Sequence, residues 1–198
     1  MHRANRQAIR ERLAEFHAVP VEQYFYEMCF CLCTPQSNAL HCYHAVDALQ
    51  KDGFLETGVN PEPYLGPQDT GYVRFHITKA KRLLLLREQW EQHRAAIRQI
   101  EDTKTLREYL VKNINGLGYK EASHFLRNIG RLDVVIIDRH IITHFLRAGI
   151  LEDKPKSISK KRYLELEERF LQFAEDVSIP AEELDLLLWQ RETGFILK

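Results

Sequence analysis

Two oppositely charged residues stand where the sequence predicts helix starts, and together they suit nucleophilic chemistry. Lys120 follows the glycines of INGLGYKEA, and Asp138 opens the stretch DRHI after the apolar VVII. The positive end of a helix dipole opposes a charged lysine and favours its neutral amine. A neutral amine is a nucleophile that can form a Schiff base. An aspartate at a helix start is often a simple N-cap, and the same rigid carboxylate can also stabilise a developing positive charge.

The glycines before Lys120 predict a tight turn between two helices. One apolar helical pattern ends at Ile114 and a second begins at Ala122. Gly116 and Gly118 let the backbone between them approach another backbone closely, because they carry no Cβ. The first amides of the second helix lack partners within the helix, so they suit a phosphate. This helix-hairpin-helix pattern predicts contact with the DNA backbone. The alternative is a glycine-rich turn between two packed helices.

The charges of the chain are segregated, although its net charge is zero. Residues 14–73 hold one Lys or Arg and eight Asp or Glu, whereas residues 74–131 hold thirteen and six. The net charges of −7 and +7 allow a neutral chain to present a basic face to nucleic acid. Unevenly charged, merely solvated helix faces are the alternative.

Length and periodicity predict an all-α protein. The 198 residues suffice for one domain or two small lobes, and no apolar run approaches the roughly 18 residues of a membrane span. The charged N-terminus lacks a signal-peptide core, which favours a cytoplasmic protein. Only VVII, at 134–137, is predicted to be extended. The predicted helices are Arg3–Phe16, Val21–Cys33, Gln36–Lys51 with Thr34 as its cap, Phe75–His93, Thr103–Asn115, Asp138–Arg147, Ser159–Asp176 and Ala181–Glu192.

The sequence predicts neither a metal site nor a cofactor. The four cysteines form no Cys-x-x-Cys pair, and on a helix the first three point in different directions. They are therefore expected to be small buried hydrophobes. His140 and His144 are four residues apart on one helix, but no third ligand accompanies them. The cysteines are Cys29, Cys31, Cys33 and Cys42.

Three stretches carry a resemblance to a known superfamily. GLGYKEA (116–122) and IDRHI (137–141), with the spacing from Lys120 to Asp138, resemble the helix-hairpin-helix superfamily of base-excision DNA glycosylases. CTPQSNAL (33–40) is similar to the helix start from which these enzymes insert a glutamine, here Gln36, into the gap left by an extruded base. The usual Leu-Pro before the first hairpin glycine is Ile114-Asn115, and the cysteines of the iron–sulfur branch are absent.

Within that superfamily, the chain resembles the type-2 8-oxoguanine DNA glycosylase/lyase subfamily of archaea and some bacteria. The resemblance rests on the length, on VRFHITKAKRL (73–83) and on WQRETGFILK (189–198). It implies a monomer with two helical lobes, 34–131 and 1–33 plus 132–198, joined around the helix-hairpin-helix. The active site is then expected in the cleft between the lobes.

The resemblance also implies an activity on duplex DNA that contains 8-oxoguanine. The damaged base must leave the stack before it can be reached. The Lys120 amine would displace it from the sugar, and Asp138 would stabilise the cationic sugar. The resulting Schiff base would allow β-elimination, which breaks the strand 3′ to the abasic site.

Further site residues follow from the same resemblance. Phe75 and Trp189 are expected to sandwich the flipped base, although a lone aromatic residue on a helix is commonly core. Lys198, the last residue, follows the apolar GFIL and is expected to dock and to distinguish the oxidised base from guanine. Two alternative functions remain at this point: a glycosylase for another damaged base, and a non-catalytic module in which Lys120 only contacts phosphate. The residues expected to contact DNA are Gln36, Gly116, Gly118 and His140.

Overall fold

The predicted all-α class is confirmed. The computed structural model describes residues 2–69 and 71–194, and within these ranges it contains helices, turns and a single isolated β-bridge between Gln68 and Gly71. A 3-10 turn at Val21–Gln23 precedes the second helix. The helices are α1 (His2–His17), α2 (Tyr24–Cys33), α3 (Ala39–Lys51), α4 (Phe54–Thr57), α5 (Glu62–Leu65), α6 (His76–Glu88), α7 (Trp90–Gln99), α8 (Thr103–Asn113), α9 (Tyr119–Asn128), α10 (Arg139–Arg147), α11 (Lys160–Asp176) and α12 (Ala181–Thr193).

The helices group into two compact units. The middle unit is Pro20–Phe125, and the terminal unit combines Met1–Val19 with Leu126–Lys198. The boundary falls inside α9, whereas the predicted lobes divided the chain at residues 33 and 131. Residues 20–33 join the middle unit because α2 packs against α3 and α6.

In the middle unit, α2 is the central helix. Its residues from Phe25 to Cys33 are all buried, as expected for a helix that is apolar on every side. The prediction for the cysteines is confirmed: all four are free and buried, three of them in α2 and Cys42 in α3. The Cys42 thiol donates a hydrogen bond to the Cys33 carbonyl oxygen at 3.2 Å.

In the terminal unit, α12 is the central helix. It packs against α1, α10 and α11. The Arg10 guanidinium binds the buried Glu183 carboxylate at 2.8 Å, and the Gln190 amide donates to Asn5 at 3.2 Å, so polar contacts also join α1 to α12.

The predicted cap of α3 and the predicted single helix Phe75–His93 are wrong. Asn38 caps α3 in place of Thr34, because its side-chain oxygen accepts the Leu40 amide at 2.9 Å. The Thr34 hydroxyl instead donates to the Cys31 carbonyl at the end of α2, at 2.9 Å. The predicted helix Phe75–His93 is two helices, α6 and α7, which are separated at Gln89.

None of the helices over the described residues is long and apolar enough to cross a membrane.

Candidate active site

The predicted hairpin is formed by α8, a turn and α9. The Ile114 amide donates to the Leu110 carbonyl at 2.9 Å where α8 ends, and the Leu117 amide donates to Ile114 at 3.2 Å. Gly116 has a φ of +87°, a backbone conformation that glycine adopts more easily than residues with a Cβ. A Cβ on Gly116 would lie 2.5 Å from the Arg82 Nε, so the turn also lies directly against a basic side chain of α6.

Lys120 lies in the first turn of α9, where the sequence predicted it. The Gly118 carbonyl accepts the first helical hydrogen bond, from the Ala122 amide at 2.9 Å. Lys120 is therefore the second residue of the helix after its cap. Its side chain is 28% exposed, and its Nζ lies 3.7 Å from the Glu121 carboxylate. The side chain is thus partly exposed and has an opposite charge beside its amine.

Side chains of α8 hold the beginning of α9. The Tyr119 hydroxyl donates to the Glu108 carboxylate at 2.6 Å. Arg107 is almost fully buried, donates to the Ser123 hydroxyl at 3.1 Å and places its guanidinium 5.5 Å from the Tyr119 ring centroid. These contacts come from both sides of Lys120 in the sequence, so they fix the position of its backbone.

Asp138 is the N-cap of α10, which confirms the capping interpretation. Its Oδ1 accepts the amides of His140 at 2.8 Å and Ile141 at 3.0 Å. The segment 134–137 that leads to Asp138 forms no strand in the described chain. Side chains of α11 bind its backbone instead. The Tyr163 hydroxyl accepts the Ile137 amide at 3.1 Å and donates to the Val135 carbonyl at 2.7 Å.

A buried ion pair lies in the same unit as Asp138. The Arg127 guanidinium binds the Asp185 carboxylate at 3.1 Å, with both side chains nearly inaccessible. Burial raises the pKa of Asp185 to about 6; the Arg127 charge opposes this rise and the Asp138 carboxylate adds to it. Asp138 therefore lies within electrostatic reach of a second carboxyl group whose charge depends on pH.

His140 and Trp189 lie together. The His140 ring, in the first turn of α10, meets the Trp189 ring of α12 edge-on, with 5.1 Å between centroids. Trp189 is half-buried. His144 points elsewhere: its Nε2 lies 3.3 Å from the Glu192 carboxylate, and burial lowers its pKa. Among the described residues, no group of three or more His, Cys, Asp and Glu side chains is arranged to hold a metal ion.

Gln36 and Phe75 are both exposed residues of the middle unit. Gln36 lies in the turn between α2 and α3, and Phe75 lies at the start of α6. Both have left-handed backbones, with φ of 56° and 60°. The Arg74 guanidinium lies 5.3 Å from the centroid of the Phe75 ring. Lys198 lies outside the described residues.

Comparison with known proteins assigns the chain to a family. The family model described as 8-oxoguanine DNA glycosylase matches residues 9–179. The chain belongs to the 8-oxoguanine DNA glycosylase family. The 8-oxoguanine DNA glycosylase/AP lyase of Fusobacterium nucleatum is 38% identical, over 96% of this chain and 90% of that one. The protein of the same description from Methanocaldococcus jannaschii is 37% identical, over 96% and 91%.

Solved structures of other 8-oxoguanine DNA glycosylases have the same fold. The Methanocaldococcus jannaschii glycosylase/lyase in complex with 15mer DNA containing 8-oxoguanine aligns with a TM-score of 0.87 and 35% identity, over 98% of this chain and 93% of that one. The Thermotoga maritima 8-oxoguanine DNA glycosylase aligns with a TM-score of 0.85 and 30% identity, over 100% and 94%.

Sequence reasoning missed the polar groups that hold the site of this 8-oxoguanine DNA glycosylase family member. Lys79 is buried, and it stands in phase with Leu83 and Leu86, which is a signal that a charged residue faces the core. Arg127 and Asp185 carry no such local signal, since they are 58 residues apart in sequence.

Proposed function

We propose that this chain removes 8-oxoguanine from duplex DNA and then cleaves the strand at the abasic site. The observation that carries the proposal is the partly exposed Lys120 side chain in the first turn of α9, directly after the Gly116–Gly118 turn, in a member of this family. The relatives at 37–38% identity are described as 8-oxoguanine DNA glycosylase/AP lyases.

In the proposed reaction, Lys120 is the nucleophile. Its Nζ lone pair attacks C1′ of the flipped nucleotide, and the C1′–N9 bond breaks as its electron pair leaves with the base, which takes up a proton. Loss of the amine protons and opening of the sugar give a Schiff base between Nζ and C1′. A C2′ proton then leaves and the C3′–O bond breaks, so the strand is cut 3′ to the lesion.

Asp138 is proposed to stabilise the positive charge that develops on the sugar. Its carboxylate is held by the two amide hydrogen bonds of the α10 cap, so it would need no rearrangement when that charge appears. The cap and the catalytic role are compatible, because capping occupies one carboxylate oxygen only.

Phe75, Trp189 and Lys198 are proposed to recognise the base. Phe75 supports this role through its exposure, 52%, which is unusual for a core aromatic residue. Trp189 is half-buried against His140 and presents part of its ring. The role of Lys198 in base recognition is proposed from the family resemblance alone. Base stacking on such rings contributes roughly 1–3 kcal/mol per base.

The proposal also names the residues that contact DNA, the oligomeric state and the cellular location. Gln36, His140 and the amides of the Gly116–Gly118 turn are proposed to contact DNA. The chain is expected to act as a monomer in the cytoplasm, on the chromosome. Relatives at similar identity come from bacteria and archaea, where the chromosome and the cytoplasm share one compartment.

Borohydride trapping tests the nucleophile. Wild-type protein should form a covalent adduct with duplex DNA that contains 8-oxoguanine, and Lys120→Gln should bind that duplex but form neither the adduct nor a strand break. Lys112→Gln, which changes an exposed lysine in the last turn of α8, is the matched control and should behave like the wild type. An undiminished adduct in Lys120→Gln would overturn the assignment.

The same assay separates the alternative functions. A DNA-binding module without catalysis gives no adduct with any substrate. A glycosylase for another damaged base gives an adduct with that base and none with 8-oxoguanine.

A further inference from the structure

Gln36 and Phe75 share an unusual backbone conformation. Of the non-glycine residues in the described ranges, only Gln36, Phe75 and Ser178 have positive φ. Such conformations are disfavoured for residues with a Cβ and persist only where the surroundings hold them. Two of the three therefore fall on exposed residues proposed to meet DNA, and the middle unit must hold both in place.

Lys79 holds the Gln36 turn from inside the protein. It is 1% exposed, and its Nζ donates to the Cys33 carbonyl at 2.6 Å, to the Pro35 carbonyl at 2.8 Å and to the Ser37 hydroxyl at 3.0 Å. An ammonium group has three protons to donate, so all of them are used. Two acceptors precede Gln36 and one follows it.

Ser37 extends the connection to Phe75. Its hydroxyl oxygen also accepts the Arg74 amide at 3.0 Å, immediately before Phe75. The Phe75 carbonyl in turn accepts the backbone amide of Lys79 at 3.0 Å, in the first turn of α6. Lys79 and Ser37 thus link both strained residues through four side-chain hydrogen bonds and one backbone bond.

Packing alone does not require a lysine at this position. Burial penalises the ammonium and lowers the pKa of Lys79, and a methionine would fill similar space in phase with Leu83 and Leu86 without that penalty. The lysine's hydrogen bonds go to the carbonyl that ends α2 and to two residues of the turn that follows it. The acceptors that surround the Gln36 turn therefore explain why this position holds a lysine.

We propose that Lys79 and Ser37 are positioning residues for base extrusion. They set the Gln36 turn and the Phe75 backbone before DNA arrives, so that binding does not have to order either segment. The proposal rests on the proposed function, because it assumes that Gln36 and Phe75 meet the distorted duplex. Neither positioning residue contacts the reacting atoms.

The test is a double-mutant cycle on kcat/KM for excision from an 8-oxoguanine duplex. Lys79→Met should lower kcat/KM at least about tenfold, since small misplacement of positioning groups has large effects. In a Gln36→Ala/Phe75→Ala background the same substitution should change kcat/KM less than about twofold, because residues that act through one another are not additive. Lys81→Met changes an exposed lysine of α6 and should leave the wild-type rate intact.

Ser37→Ala keeps the experiment decisive if Lys79→Met folds poorly. It removes one hydroxyl, and it should lower kcat/KM in the wild-type background but not in the background that lacks both side chains. Thermal unfolding measures the folded fraction of each variant, and rates are compared per folded molecule.

The outcomes separate the two proposals. Equal losses in both backgrounds would mean that Lys79 is structural, and a Lys79→Met rate equal to the Lys81→Met rate would also overturn the positioning role. In both cases excision by the wild-type protein leaves the proposed function standing. A wild-type protein that releases no 8-oxoguanine overturns the proposed function and the positioning role together.

Discussion

The Asp138 carboxylate combines a structural position with a proposed catalytic one. Its Oδ1 accepts both amides of the α10 cap, at 2.8 and 3.0 Å. A capping interaction survives replacement by asparagine, which caps about as well as aspartate. A charge does not survive that replacement. Asparagine at this position therefore separates the two roles.

Asp138→Asn should fold normally and lose most of its base-excision rate. Removal of one preorganised group that stabilises transition-state charge costs about 10²–10³ in rate. Single-turnover excision and thermal unfolding measure the two effects. Asp102→Asn is the matched control, because Asp102 caps α8 through the Thr105 amide at 2.7 Å. It should keep the wild-type rate. A destabilised Asp138→Asn with a normal rate per folded molecule would leave capping as the only role.

At the level of single residues, the sequence predicts the functional groups whose positions are indicated by their immediate neighbours in the chain. Lys120 was predicted from the glycines beside it, and Asp138 from the helix that it opens. The polar groups that anchor the Gln36 turn and the segment before Asp138 were not predicted, because their partners are distant in sequence. Lys79 binds a turn more than 40 residues away, and Tyr163 binds a segment 26 or more residues away.

The helices themselves follow from local periodicity, and the errors occur where local signals compete. Thr34 and Asn38 are both residue types that commonly cap helices. In the structure Asn38 is the cap, because Gln36 has a positive φ and therefore cannot belong to a right-handed helix that begins after Thr34. No glycine or proline marks the break between α6 and α7 at Gln89, so the sequence does not predict it. The segment 134–137 was predicted to be extended, but its partners on α11 were not.

That segment gives a prediction for α11. Tyr163→Phe removes the hydroxyl that accepts the Ile137 amide and donates to the Val135 carbonyl. Two buried backbone groups then lack this partner, so the free energy of unfolding should fall by about 1–3 kcal/mol. Because Ile137 directly precedes Asp138, the excision rate should fall as well.

Urea unfolding and single-turnover excision measure these two losses. Tyr64→Phe removes a hydroxyl that binds Asp52 near the surface and should change neither quantity appreciably. Wild-type excision by Tyr163→Phe would show that Asp138 keeps its position without this anchor.

At the scale of the whole molecule, stability should depend on the charge of Asp185. Its pKa is raised to about 6, mainly by burial, above the value of roughly 4 in an unfolded chain. A raised pKa contributes stability that is fully present below about pH 4 and is lost as the pH rises through about 6. The unfolding free energy of the wild type minus that of Asp185→Asn should therefore fall by about 2 kcal/mol between pH 4 and 7.

Urea unfolding at several pH values measures this difference. The amide of the variant does not titrate, and any constant difference between it and the protonated carboxyl group cancels in the slope. The interaction of Asp185 with Arg127 is already contained in its pKa, so the slope alone reports the titration of Asp185. A difference that stays constant or increases with pH would contradict the prediction.

The buried thiols have a consequence for the conditions in which this protein works. Peroxides attack the thiolate form of cysteine, and they need access to the sulfur atom. Burial raises the pKa of Cys29, Cys33 and Cys42, in the last case to about 11, and all four cysteines are inside the fold. An oxidative burst that converts guanine to its 8-oxo form would thus leave the four cysteine thiols of this protein reduced. The repair capacity would persist while its substrate accumulates.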